Sequence, residues 1–367
     1  MKTTIINFIK KQFVLCIAIS VMLITCIIIP PDKEYTGYFN FRTLATLFCT
    51  LAVVNAFAHI HIFEIISKAI IVRLKNLRRA TFGIVFITFF GSMILANDMA
   101  LLTFLPLGYY LLKNTGNKKH MAYVFILQNI AANLGGMLTP FGNPQNLYIY
   151  SYYNVDTIEF MSIMLRPFIV ATIVIIILCL FVKPVPLVLK NNNEYFLNLP
   201  RTVIYSFLFI FSILIVLRIF PYILGTVIIT LFLLVMDRRS IKTVNYPLLL
   251  TFCAFFVFSG NMARIPEVHM LFSKILPIDT LFFGILSCQF ISNVPSAVLL
   301  SHFTNDYASL LPAVNIGGLG TLIASLASLI TFSEYRKHNP HDIRSYITKF
   351  TIINFAFVIL LFITCKI

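Results

Sequence analysis

Charge is what this sequence has least of. Only 11% of its 367 residues are Asp, Glu, Lys or Arg, against about a quarter in soluble domains. Hydrophobic residues make up 59%, in runs of membrane-spanning length that recur from end to end. A water-soluble domain is excluded. The period-two alternation of an outer-membrane barrel is missing as well. The seven cysteines have no metal or redox spacing and sit mostly inside apolar runs, so they read as small core residues. Acidic residues are scarcer than basic ones, 13 against 28. The basic excess does not signal nucleic acid, because Lys and Arg fall in short loops between apolar runs, where membrane topology puts them. A second buried acid or a usable Ser/His pair is also missing, which argues against an intramembrane hydrolase. The sequence therefore reads as an all-α polytopic membrane protein that is not an enzyme.

The expected spans are 13–29, 43–59, 121–148 (interrupted), 167–182, 202–220, 221–236, 246–262, 307–332 (interrupted) and 347–364. The first follows Lys10-Lys11 as a signal peptide would, but Ile-Ile-Ile-Pro-Pro is a poor cleavage site, so an uncleaved anchor is expected. Two more apolar segments have polar centres. The run 89–106, FFGSMILANDMALLTFLP, carries Asn97-Asp98, and the run 286–300, LSCQFISNVPSAVLL, carries Ser292-Asn293. Polar residues at such depth need a partner or a task. Amphipathic stretches at 63–79 and 267–276 precede them.

Loop charge sets the crossings. With Lys2, Lys10 and Lys11 inside, the clusters Lys68 to Arg79, Lys113 to Lys119, Lys183 to Arg201, Arg238 to Lys242 and Arg336 to Lys349 all fall inside only if each polar-centred segment crosses an even number of times. The second segment's arms, 281–291 and 295–303, are shorter than the roughly 17 residues that a span requires. A re-entrant hairpin fits there, and by parity the two hairpins open to opposite sides.

That opposition predicts two inverted repeats, each with a re-entrant hairpin and a broken transmembrane helix. The expected organisation is an anchor span and outer loop at 1–42, repeat 1 at 43–182 (hairpin 82–112, broken helix 121–148), inter-repeat spans at 183–245, and repeat 2 at 246–367 (hairpin 281–303, broken helix 307–332). The run from Asn133 to Thr139 matches that from Asn315 to Thr321 at Asn, both glycines and Thr. Ser67-Lys68 pairs with Ser273-Lys274, and Ala96-Asn97 with Ser292-Asn293.

Unwound backbone is expected after the first of these elements, where Pro140, Gly142, Asn143 and Pro144 cannot continue a helix. Such backbone is tolerated at membrane depth only inside protein or beside a cavity. A hairpin tip presents carbonyls that hold a cation and amides that hold an anion. Asn97 and Asn293 offer both an acceptor and donors. Asp98, the acid set deepest in an apolar run, is expected to neutralise a cation or carry a proton.

The stretches GSMILANDMALLTFLP, NIAANLGGMLTPFGNPQNLYIYS, SCQFISNVPSAVLLS and PAVNIGGLGTLIASLASLI resemble the ion transporter superfamily, and among its members the citrate-transporter-like anion permeases most. The superfamily includes sodium-coupled dicarboxylate symporters, arsenite efflux permeases and sodium/proton antiporters. The resemblance implies an ion-coupled secondary active transporter of a small anion such as citrate or a dicarboxylate, of elevator type. It implies a homodimer in the lipid bilayer of the inner membrane with a cytoplasmic N-terminus, and no cofactor beyond a coupling sodium ion or proton. Carried over, one cation site uses Ser92, Asn97 and backbone near Gly142, the other Asn293 and backbone near Gly320, with Asp98 joining the coupling. Substrate meets Asn97, Asp98, Asn143, Ser292, Asn293 and Thr321. The chain departs where Ala96-Asn97-Asp98 and Ser292-Asn293-Val294 replace the Ser-Asn-Thr tips of the dicarboxylate branch. It also has Cys288 where that branch has a hydroxyl. The Asn-Asp pair is similar to the arsenite branch, the alternative reading, alongside sodium/proton antiport. A channel or a membrane scaffold remains the reading from outside this class.

Overall fold

The computed structural model describes residues 12–62, 65, 73–74, 76–114, 116–186 and 196–367. The amphipathic stretch at 63–79, including Ser67-Lys68, lies largely outside them. Among the described residues the secondary structure is helical, without a strand. Backbone donors and acceptors in an apolar run can be satisfied only within the run, and helices do this.

Seventeen α-helices follow in order: α1 (Phe13–Ile28), α2 (Phe41–His59), α3 (Leu77–Leu95), α4 (Asn97–Asn114), α5 (Met121–Gly135), α6 (Pro144–Tyr152), α7 (Thr157–Leu180), α8 (Leu199–Val216), α9 (Tyr222–Met236), α10 (Arg238–Lys242), α11 (Tyr246–Arg264), α12 (Pro266–Ile275), α13 (Thr280–Ile291), α14 (Asn293–Leu300), α15 (Tyr307–Ile316), α16 (Leu326–His338) and α17 (Ile343–Lys366). Seven described helices are long and apolar enough to cross a membrane. The expected spans at 13–29 and 221–236 appear as shorter apolar helices of 16 and 15 residues. Conversely, α3 has 19 residues and meets the length of a full span, whereas the arms of the second polar-centred segment, α13 and α14, have only 12 and eight.

The helices form two groups. In one, α5 is central and packs on α3, α4, α7 and α16, while α13 packs on α15 and α17 on α7. In an apolar window of 18 residues within Lys118–Leu138, which contains α5, 89% of residues are buried, against 28% in the corresponding window of α7, so α5 forms the middle of this group and α7 an outer face. In the other group, α2 packs on α8, α9 and α10, and α1 on α11. The seam between the groups is made chiefly by α11 against α14 and α2 against α6. Tyr148 of α6 meets Phe256 of α11 with ring centroids 5.7 Å apart. Two polar ties cross it: Ser259 Oγ donates to Val298 O at 2.8 Å, and Arg218 donates to Tyr150 O while its guanidinium lies 4.1 Å from the Tyr150 ring centroid.

The segment after α1 is clasped to the end of α11. Arg264 donates to Asp32 Oδ2 at 2.7 Å and to the Tyr38 hydroxyl at 2.9 Å, and the Tyr38 ring lies over Gly260, where a Cβ would stand 2.5 Å from it. The Arg264 hydrogen bond holds the Asp32 carboxyl below the usual carboxylate range. A depressed pKa stabilises the folded form above the ordinary value and loses that contribution as pH falls through the lower one. Limited proteolysis of residues 30–40 is therefore expected to stay slow at neutral pH and to accelerate below about pH 4. Asp32→Asn is expected to make it faster at neutral pH and to flatten its pH dependence, with Glu34 still 3.3 Å from Arg264 Nε.

Candidate functional site: a polar cavity where four helices begin

Each polar-centred segment breaks at one residue. Ala96 ends α3 at φ 66°, ψ 148°, and Ser292 ends α13 at φ 76°, ψ 158°. Side chains other than glycine rarely adopt this region, at a cost on the order of 1–3 kcal/mol each. Across the breaks the helices fold back on one another. The Phe104 ring covers Gly91, and Ser287 Oγ lies 2.9 Å from Ser296 Oγ.

The surroundings of the two breaks correspond contact by contact. Asn97 Oδ1 accepts from Asp98 N, and Asn293 Oδ1 from Val294 N, both at 2.9 Å. Thr139 Oγ1 donates to Met93 O, and Thr321 Oγ1 to Gln289 O, both at 3.1 Å. These acceptors stand four residues before Asn97 and Asn293. Asn133 and Asn315 each donate to the carbonyl four residues earlier, Asn129 O at 3.0 Å and Leu311 O at 2.8 Å. Gly135 lies against Ser92, and Gly317 against Cys288. The sequence matches thus mark the same local structure made twice.

The breaks after these elements are held by amide side chains. Between α5 and α6, Asn146 Nδ2 donates to Gly136 O, Met137 O and Thr139 O at 3.1–3.3 Å. Between α15 and α16, Gln289 Nε2 donates to Gly317 O and Leu319 O at 3.0 Å, and its Oε1 accepts from Thr321 N at 2.9 Å. Backbone groups that no helix satisfies are satisfied here, as burial requires.

A cavity of about 30 Å³ lies where these elements meet the α11 face of the seam. Four helices begin at its wall: α4 with Asn97 and Asp98, α6 with Pro144 and Gln145, α14 with Asn293, Val294 and Pro295, and α16 with Leu326. Ser292 completes that side, and α11 closes the other with Leu248, Thr251 and Phe255. Asp98 is the charged residue of the lining, and no Lys or Arg faces it there. The volume admits an ion or a water or two. It is far below the roughly 300–1,000 Å³ of pockets that enclose larger ligands.

Of the residues expected from sequence, Asn97, Asp98, Ser292 and Asn293 come together on this wall. Asn143 sits just behind it as the residue before α6, buried, with Nδ2 donating to Asn133 O and Asn315 Oδ1, both at 3.1 Å. Ser92, Gly142, Gly320 and Thr321 are not in the lining. Ser92 Oγ donates to Phe89 O at 2.8 Å, Gly142 packs on Gly136, and Gly320 on the Gln289 amide. Gln145, Thr251, Phe255 and the organising amides Asn146, Gln289 and Asn315 were not expected. Gln145-Asn146 carried the signal that found Asn97, namely amides in an apolar run.

The sequence matches the family model described as citrate transporter over residues 4–310. The chain belongs to the citrate transporter family. It is a transporter, and an uncharacterized transporter of Methanocaldococcus jannaschii is 32% identical over 320 residues, covering 87% of this chain and 88% of that one. The inner membrane protein YbiR of Escherichia coli is 25% identical over 302 residues, 81% of each chain. A Dictyostelium discoideum protein named as transporter arsB is 27% identical over 175 residues, 47% of this chain and 30% of that one. Family membership fits a multi-pass membrane protein with a polar cavity in an apolar bundle.

The Asn146 amide shares its two N–H groups among three carbonyls of the break, two of them buried. Asn146→Ala is expected to lower stability by about 2 kcal/mol or more, since each stranded group costs roughly 1–3 kcal/mol. The purified protein's thermal midpoint in detergent checks this.

Proposed function

We propose that the chain is an ion-coupled secondary active transporter of a small anion, a carboxylate such as citrate or a dicarboxylate. It would work by elevator-type alternating access. The observation that carries this reading is the convergence of four helix N-termini on a cavity whose charged residue is Asp98. Helix N-termini attract anions through free N–H groups and the aligned peptide dipoles. An ionised Asp98 repels the same anion, and neither charge is stable in an apolar bundle alone. A proton or a sodium ion that joins them removes the conflict, so ion and anion bind cooperatively.

The contacts repeated at Ala96 and Ser292 support two repeats, 43–182 and 246–367, of opposite orientation, with α3–α4 and α13–α14 as re-entrant hairpins. In this reading α3–α7 and α13–α17 move against α1, α2 and α8–α12, which carry the homodimer contact. Ser92, Asn97 and Gly142 serve one cation, and Asn293 and Gly320 a second. Asn143 and Thr321 join the substrate contacts of Asn97, Ser292 and Asn293 once the cavity opens. The name of the Escherichia coli relative supports an inner-membrane location.

Proteoliposomes offered citrate, succinate and related acids, with sodium and proton gradients imposed separately, test this directly. Uphill uptake under one gradient is expected, and no uptake under either counts against the reading. Asp98→Asn is expected to abolish dependence on the driving ion while leaving the thermal midpoint within a few degrees of the parent. Unchanged ion dependence in that variant refutes the coupling role.

The Asn97-Asp98 pair and the relative named as transporter arsB favour a second reading, export of arsenite or antimonite. Deletion of the gene without a change in metalloid sensitivity removes it. Sodium/proton antiport is distinguished by ion exchange without any anion, and a channel by flux that no gradient drives uphill.

A further inference from the structure

Amide orientation at the cavity wall is fixed by a chain of hydrogen bonds. Asn146 Nδ2 faces three backbone carbonyls, which can only accept, so Asn146 Oδ1 must be its acceptor end. Asn315 Nδ2 donates to that oxygen at 2.6 Å and to Leu311 O at 2.8 Å. Asn315 Oδ1 is therefore an acceptor too, and it receives Asn143 Nδ2 at 3.1 Å and Gln145 Nε2 at 3.3 Å. Turning the Gln145 amide over would set two carbonyl oxygens against each other. The relay forces Gln145, a residue of the cavity wall, to turn its NH2 group to Asn315, which leaves Oε1 outside the relay.

That oxygen has no hydrogen-bond partner among the described residues, although Gln145 is only 1% exposed. Amide oxygens of Gln128, Asn143, Asn261 and Asn354 are also unpartnered, but those residues do not line the cavity, and Gln145 does. A buried acceptor without a donor is a standing cost that a ligand relieves by bringing one. A carboxylate has none to bring. A carboxylate bearing a hydroxyl does, and it can set its charge among the helix N-termini while its O–H reaches the amide oxygen.

We propose that Gln145 is a specificity-determining residue that reads a hydroxyl on the transported carboxylate, oriented for that role by the Asn146–Asn315 relay. The inference rests on the anion-transport reading above and deepens it. A site built to pair a substrate hydroxyl discriminates strongly against the analogue that lacks it, because its own polar group is then left unpaired.

Matched pairs test this: citrate against tricarballylate, and malate against succinate, each differing by one hydroxyl. In proteoliposomes containing the wild-type protein, the hydroxylated member is expected to be favoured by about tenfold or more in uptake efficiency. In Gln145→Met, which keeps length but offers no amide oxygen, the ratio is expected to fall toward one. Equal uptake of both members by the wild type overturns the proposal while leaving anion transport standing. A ratio that persists in Gln145→Met overturns it too, as does a variant whose ion dependence shifts with the ratio unchanged, since the oxygen then serves the cation. Uptake of neither member by the wild type removes both readings together. Should Gln145→Met fail to fold, the wild-type ratio still decides against the proposal if it is one, and Gln145→Glu, which keeps an oxygen at the position, is expected to retain a preference for the hydroxylated member.

Discussion

Interrupted helices in an apolar bundle leave carbonyls and N–H groups that neither water nor a regular helix can satisfy. Everything about the candidate site depends on how this chain meets that constraint. Asn146 gathers three carbonyls of the break at 136–143, and Gln289 gathers two of the break at 317–325. Each amide comes from a neighbouring helix, so the unwound backbone is tied to the framework that surrounds it. Once the breaks are held, helix N-termini can be aimed at a common point, which continuous helices through the same bundle could not offer.

Much of this was legible in the sequence, because polar residues are conspicuous where the composition is otherwise oily. Asn97-Asp98 and Ser292-Asn293 announced themselves this way, and Pro140, Gly142 and Pro144 announced the first break. The match of Asn133 to Thr139 with Asn315 to Thr321 identified a repeated element. What it could not reveal is that both threonines donate to backbone carbonyls, Met93 O and Gln289 O. A carbonyl acceptor leaves no mark on residue identity. Family resemblance had Thr321 meeting substrate and backbone near Gly142 and Gly320, with Ser92, beside cations; none of the four lines the cavity.

Other features were hidden for different reasons. Thr251 and Phe255 are unremarkable within a long apolar helix, and only the packing of α11 on α14 gives them the cavity. The clasp of Arg264 on Asp32 joins residues 232 positions apart, beyond any local pattern. Gln145 lay in plain view between Pro144 and Asn146, where a turn-forming context masked it. Helix bounds were legible to within a residue at α1 and α9, which match the apolar runs 13–29 and 221–236.

The seam between the two helix groups is built from aromatic and aliphatic faces, with Tyr148 on Phe256 and α14 along α11. Contacts of this kind are non-directional. A face displaced along the seam exchanges one apolar neighbour for another and gives up few hydrogen bonds beyond those of Ser259 and Arg218. Separating the two faces would therefore cost chiefly apolar burial, with the directional part of the contact concentrated in two polar ties.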